Sequence, residues 1–200
     1  MTIVEERPAA GFEAARRAMI DSQLRTQGVT AEWALQGMAS VPRERFVPEG
    51  ARGFAYIDRA IPLGDGHALP APVVQGLMLQ EAEPTRQDKA LVIDCGSGYL
   101  AELLRPLVGA LEVQSPAEAG KAGGTGEMTL LLIDGAIEQL PAALADRLAE
   151  GSRVVTGLVE DGITHLAIGR KVAGEVTLLT LAEIGIPVLP EFAAPKRWSF

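Results

Sequence analysis

Leu91-Val92-Ile93-Asp94-Cys95-Gly96-Ser97-Gly98-Tyr99-Leu100 reads as a strand, a glycine turn and the start of a helix. Leu91 to Asp94 is a short buried-strand pattern ending in an acid, and Ala101-Glu102-Leu103-Leu104 carries helical spacing onward. Strand, glycine turn and helix in that order open a nucleotide-binding α/β sheet. The turn needs glycine because it is tight and a ligand must approach bare backbone. Asp94, Gly96, Ser97 and Gly98 are therefore candidate cofactor-binding residues. Asp94 can accept hydrogen bonds from a cofactor or from the turn itself. Taken alone, the motif fits an ordinary strand-to-helix turn equally well.

Composition narrows the class. Two hundred residues with 48% apolar content suit one compact core with a helical extension. The expected organisation is an N-terminal helical extension with substrate-side loops over 1–85, and a reduced Rossmann-like domain over 86–200. A net charge of −8 argues against nucleic-acid binding and against docking on anionic lipid. The single cysteine excludes an internal disulfide framework and suits a reducing compartment. Glu5, Glu6 and Arg7 do not fit a signal peptide, and no run reaches the roughly 18 apolar residues of a membrane span. The expected location is cytoplasmic. His67, His165 and Cys95 do not make a metal site.

Outward from the central stretch, Phe12, Ala15, Met19, Ile20 and Leu24 predict a helix from Gly11 to about Gln27, ended by Gly28. Thr30 reads as the N-cap of a second helix carrying Trp33, Leu35 and Met38. Residues 41–48, 55–58 and 61–64 read as loops, and Pro72 to about Glu81 as the helix ahead of the central strand. Leu111–Val113 is a second strand and Met128–Ile133 a third. Ile137 to about Ala149 has helical spacing, Arg153–Thr156 is a strand, and Thr164–Lys171 with Glu175–Glu183 forms a hairpin turning at Gly174. Cys95 reads as core. Asp94 and Asp134 fall at the ends of adjacent strands, where they either face a crevice together or cap their turns. Lys196-Arg197-Trp198 is a small basic, aromatic tail.

Four phrases stand in a family-specific order: Met19-Ile20-Asp21-Ser22-Gln23-Leu24, Val41-Pro42-Arg43-Glu44-Arg45-Phe46-Val47-Pro48, Ala55-Tyr56-Ile57-Asp58 and Gly64-Asp65-Gly66. In these phrases the chain resembles the protein-L-isoaspartate O-methyltransferases, and the resemblance runs on to Val188-Leu189-Pro190. It implies an S-adenosylmethionine (SAM) methyltransferase fold, mainly parallel with helices on both faces. It also implies SAM as cofactor and methyl transfer to the carboxylate of isoaspartyl residues in damaged proteins.

The chain departs from that family at the site itself. Where members usually read Gly-x-Gly-Gln-Thr-Ile-Ser-Gln-Pro, this chain reads Gly64-Asp65-Gly66-His67-Ala68-Leu69-Pro70-Ala71-Pro72. The two hydroxyls become Ala68 and Pro70, which offer no side-chain hydrogen bond, and His67 is the polar side chain left. The turn Asp94-Cys95-Gly96-Ser97-Gly98-Tyr99 is two residues shorter in the simplest alignment. Gln114 stands where a ribose-binding acid is usual. Ser115–Gly126 replaces a helix, a strand and an adenine-side loop, so roughly one βα unit is missing, since a crossover takes about 30 residues.

These losses converge on one pocket. They predict weak SAM binding or none and a non-catalytic binding or assembly subunit. The alternative is an active SAM-dependent protein carboxyl methyltransferase, repairing isoaspartyl residues or methylating another substrate, with Asp134 beside the cofactor. The missing unit predicts that Leu111–Val113 becomes a sheet edge. That edge would be covered by the linker 120–126 or paired in a homodimer or with another protein partner.

Overall fold

Strands with apolar residues at consecutive positions suit the middle of a sheet covered on both faces. The computed structural model, which describes residues 9–119 and 126–194, places two such runs at the sheet's centre. In chain order the elements are α1 (Ala9–Met19), α2 (Glu32–Ser40), β1 (Ile61–Gly64), β2 (His67–Leu69), α3 (Pro72–Ala82), β3 (Lys89–Ile93) and α4 (Tyr99–Leu104). Then come β4 (Ala110–Gln114), α5 (Pro116–Ala119), β5 (Met128–Ile137), α6 (Ala142–Asp146), β6 (Leu148–Glu160), β7 (Ile163–Val172) and β8 (Glu175–Glu183). The main sheet has the order β4-β3-β5-β6-β7-β8. Its pairs are parallel from β4 to β6 and antiparallel from β6 to β8. This is the expected Rossmann-like methyltransferase sheet with its C-terminal hairpin.

The truncation is visible in the connections. Between the end of β4 and the start of β5 only residues 115–127 intervene, and their described part holds the four-residue α5. No further strand lies outside β4 among the described residues, so β4 is an edge with Val113 42% exposed. The expected cover by the linker 120–126 lies outside the described residues apart from Gly126, and the basic tail at 196–198 lies outside them altogether.

Three sequence expectations are corrected. The Ile61–Leu69 phrase is a hairpin and not a loop: Ile61 pairs with Leu69 and Pro62 with Ala68. Asp65 and Gly66 take positive φ (51° and 82°), the left-handed pair that suits a tight hairpin turn. Thr30 is not an N-cap, because its N–H reaches Gln80 Oε1 at 2.8 Å and α2 starts only at Glu32. The predicted helix from Ile137 to Ala149 shrinks to α6. Strand pairing takes both of its ends, since β5 runs on to Ile137 and β6 already pairs at Leu148 with Met128. The predicted first helix extends through a wide turn at Ile20–Leu24 and a tight one at Arg25–Gln27, ending at Gly28 with φ 96°.

One apolar core joins the N-terminal region to the sheet: Leu24, Val29, Leu35 and Leu69 belong to the same buried cluster as Leu91, Ile93 and Leu132. Among the described residues no helix is long and apolar enough to cross a membrane. The C-terminal segment is laid against β5, with Ala136 N–H donating to the Pro187 carbonyl (2.7 Å) and Leu189 N–H to the Ala136 carbonyl (2.8 Å). That closeness requires small residues below it. A Cβ on Gly157 would stand 2.7 Å from both Ala136 Cα and Cβ, and 2.9 Å from an Ile186 methyl. Gly157→Ala is expected to destabilise the fold by about 1–3 kcal/mol through overpacking. Urea unfolding would show a lower midpoint at unchanged slope. Gly185→Ala, where a Cβ meets nothing within 4 Å, is the control and should stay within about 0.5 kcal/mol of wild type.

Candidate functional site

The C-terminal ends of parallel strands are where α/β sheets place their ligands. At this end β3 stops at Ile93, and Asp94 turns back into the loop that follows it. Its Oδ1 accepts the N–H of Gly96 (2.7 Å) and Gly98 (2.9 Å), and its Oδ2 accepts Gly98 again (3.0 Å). Asp94 thus caps the turn, one of the roles open to it. Gly96 and Gly98 have φ of 105° and 77°, a region that L side chains rarely adopt. Ser97 Oγ accepts the Tyr99 N–H (3.1 Å), which starts α4. The Phe46 ring lies against Gly98, while over Gly96 there is open space. The outer side of the turn is thus free to meet a ligand.

On the neighbouring strand, β5 bulges. Four steps from Leu132 to Ala136 match two on β6, from Val155 to Gly157. Asp134 sits on this bulge and is fully buried. A bulge re-aims a side chain, and bulges gather beside active sites. Here Asp134 is aimed at Gln75 of α3, whose Nε2 donates to both carboxylate oxygens (2.9 and 3.0 Å), and at the Cys95 thiol, whose Sγ lies 3.2 Å from Oδ2. Asp134 therefore neither lines an open crevice with Asp94 nor caps its turn, which corrects both readings of it. Burial above all, and then the charge of Asp94, push its carboxyl up to about 7, against the opposing bonds from Gln75 and Cys95. Cys95 is buried as expected, and burial pushes its thiol up as well.

The network continues to Arg43, buried at 0% exposure. Its Nη1 donates to Gln75 Oε1, its Nη2 to the Pro70 carbonyl, and its Nε to the Ala55 carbonyl at 2.9 Å. The guanidinium carbon lies 4.8 Å from the Tyr99 ring centroid. Tyr99 in turn meets the Phe46 ring edge-on at 5.4 Å. Arg43 and Gln75 are the two residues that reading the sequence overlooked. A lone amide between Val73-Val74 and Gly76-Leu77, in a helix buried nearly all round, was the available signal.

The residues expected on the substrate side lie close by. Ala68 is half-buried opposite Pro62, and Pro70 is buried with its carbonyl already engaged by Arg43. His67 Nε2 stands 3.0 Å from Glu191 Oε1, tying the hairpin to the C-terminal segment. At the edge strand, the Gln114 carbonyl accepts the Asp94 N–H (2.8 Å) and its side-chain Nε2 donates to Glu112 (2.8 Å). Glu112 also accepts Arg147 (2.6 Å). Gln114 Oε1 is buried and has no partner among the described residues. A cleft of about 430 Å³ between the end of α3 and β6–β8 holds none of these residues, and its Arg153 is already paired with Asp88 (2.8 Å).

The same fold is found in solved structures that share little sequence. A Plasmodium falciparum protein described as a protein-L-isoaspartate O-methyltransferase, solved in complex with S-adenosyl-L-homocysteine, superposes with a TM-score of 0.68 at 17% identity. That match covers 88% of this chain and 98% of the other. A second structure, titled protein-L-isoaspartate O-methyltransferase, gives 0.70 at 14% identity over 89% of this chain and 67% of its own. Curated relatives are nearer in sequence. Protein-L-isoaspartate O-methyltransferase 2 of Anaeromyxobacter sp. (strain Fw109-5) is 31% identical over 78% of this chain and 74% of its own length. The Koribacter versatilis (strain Ellin345) protein-L-isoaspartate O-methyltransferase is 31% identical over 83% and 86%. The family model for protein-L-isoaspartate(D-aspartate) O-methyltransferase matches residues 14–114, from α1 through the glycine turn to Gln114. With its phrases, its sheet and its glycine turn all in that order, the chain belongs to the protein-L-isoaspartate(D-aspartate) O-methyltransferase family.

Proposed function

We propose that this chain is a SAM-dependent methyltransferase acting on polypeptide carboxylates, the activity named for its relatives. The observation that carries the reading is the Arg43–Gln75–Asp134 network beside the glycine turn. Burying a carboxylate and a guanidinium costs several kcal/mol per ion, and apolar residues of the same size are often as stable or more so. Ionisable groups kept at that cost, at the ligand-binding end of a parallel sheet, point to a site rather than to a scaffold. The residues present also fit the cofactor in part. The space over Gly96 admits a ligand to the backbone, and Gln114 Oε1, buried and without a partner among the described residues, is an acceptor that a ribose hydroxyl would reach once it is uncovered.

When bound, SAM supplies the methyl group. The chain's own residues orient and enclose. Asp94 holds the turn in shape, and Gln114 would hold the sugar. Arg43 fixes the Pro70 carbonyl and with it the segment His67–Pro70 where the substrate carboxylate would lie. A carboxylate is already a nucleophile and needs no base, so positioning supplies much of the catalysis. A second reading, the non-catalytic binding or assembly subunit, is favoured by Ala68 and Pro70. Each missing donor at a reacting carboxylate costs about 2.7–4 kcal/mol.

Calorimetry with S-adenosylhomocysteine separates the two. The methyltransferase reading expects a micromolar dissociation constant, about −8 kcal/mol, weakened about fivefold in Gln114→Ala by loss of one hydrogen bond. Absence of heat at millimolar ligand would select the non-catalytic subunit. Radiolabelled methyl transfer to an isoaspartyl peptide should run at least roughly 100-fold slower than in a relative that keeps both hydroxyls. A rate equal to that relative's would show that the hydroxyls do not matter here.

A third test concerns the network itself. The folded Asp134 carboxyl is raised to about 7, from near 4 in the unfolded chain. Its contribution to stability is fully present below pH 4 and is lost as pH rises through 7. Between pH 5 and 8 the wild-type melting temperature should therefore fall more steeply than that of Asp134→Asn. Parallel slopes would mean that Asp134 titrates normally.

A further inference from the structure

We infer that a cleft between Pro48 and Pro62 is the subsite for residues flanking the target carboxylate, and that Arg59 makes it prefer an acidic flank. The inference rests on the polypeptide-carboxylate reading above. The cleft holds about 380 Å³ and is lined by Pro48, Ala51, Phe54, Arg59, Ile61 and Pro62, among others. Its walls are apolar, and Phe54 is 44% exposed.

The cleft adjoins the candidate site through the hairpin register. Ile61 and Pro62 of β1 line the cleft, and Pro62 pairs directly with Ala68 of β2, the position of a family hydroxyl. Directly paired residues of an antiparallel ladder lie about 5 Å apart. A peptide whose carboxylate reached Ala68 would have its neighbouring residues over the cleft.

What distinguishes Arg59 is its place on the cleft wall. Some exposed arginines are paired, Arg17 with Glu13 (3.0 Å), Arg25 with Glu32 (3.0 Å) and Arg105 with Glu102 (3.3 Å), while Arg45, Arg52, Arg86 and Arg170 have no ion pair among the described residues but do not line this cleft. Arg59 has no carboxylate within 4 Å among the described residues, although the chain carries a net charge of −8. Its neighbour Asp58 is turned away and accepts Gln27 Nε2 at 2.8 Å. The Arg59 guanidinium is instead stacked over the Phe54 ring, 5.0 Å from its centroid. Stacking pre-organises the planar group, so little rotamer freedom is lost when a carboxylate pairs with it. An aromatic wall bearing an unpaired, oriented cation suits a peptide with an apolar residue and an aspartate or glutamate.

Fluorescence anisotropy with two labelled ten-residue isoaspartyl peptides, identical but for a flanking glutamate or lysine, tests this without requiring turnover. Wild type should bind the glutamate peptide about fivefold more tightly, the scale of one partly exposed ion pair. Arg59→Gln should abolish the preference and Arg59→Glu should reverse it, while Phe54→Ala should weaken both peptides. Circular dichroism matching wild type certifies the folds. Equal affinity of wild type for both peptides, a preference that survives Arg59→Glu, or no binding of either at millimolar concentration would overturn the inference. If the preference holds while S-adenosylhomocysteine gives no heat, the subsite stands and the methyltransferase reading falls.

Discussion

Arg43 places a guanidinium where water does not reach, and four segments are arranged to satisfy it. Its three bonding nitrogens go to the Ala55 carbonyl, the Pro70 carbonyl and Gln75 Oε1, and its face lies on the Tyr99 ring. An unpaired buried charge would cost several kcal/mol, so none of these partners can leave alone. The consequence is geometric. The loop after α2, the end of the β1–β2 hairpin, the first turns of α3 and the start of α4 are fixed to one another. Gln75 passes the constraint on, because its oxygen faces Arg43 and its amide nitrogen must then face Asp134. In this way one arginine sets the position of the His67–Pro70 segment relative to the glycine turn.

The opposite edge of the site is built with much less. Loss of a βα unit leaves β4 as the edge of the sheet among the described residues. Charged side chains occupy the exposed ladder's flank instead: Glu112 receives both Arg147 and Gln114. Charge on an edge strand discourages pairing with other chains. Among the described residues the site is held firmly on the α3 side, while on the β4 side Gln114 Oε1 is buried without a partner among them.

The candidate site residues fall into two groups by how they could be found. The glycine turn, Asp94 and the edge position of β4 follow from local order: a strand, two glycines with positive φ and too few residues before β5. Asp134 was legible as a residue at a strand end but not as a buried one. Its setting depends on a bulge, and a bulge is a mismatch between two strands that neither strand displays alone. The cleft over Phe54 and Arg59 was invisible for a similar reason. Two of its wall residues, Ile61 and Pro62, belong to the 61–69 phrase, which pairs as a hairpin although its glycines and proline mimic a loop.

The amino-acid sequence by itself determined the fold class, the family and the truncation. Hydrophobic runs, turn glycines and segment lengths are local quantities, and so are the phrases from Met19 to Gly66. Only the tertiary structure decided which polar residues meet. Arg43, Gln75 and Asp134 lie 32 and 59 positions apart along the chain, yet share hydrogen bonds. No periodicity encodes such a contact, because it arises from the packing of α3 against the bulged β5. The same holds for the Ile137–Ala149 phrase. Its helical spacing was real, but pairing of β5 and β6 from both sides left room for only five helical residues. Interstrand hydrogen bonds in a buried sheet outweighed a helix propensity worth only tenths of a kcal/mol per residue.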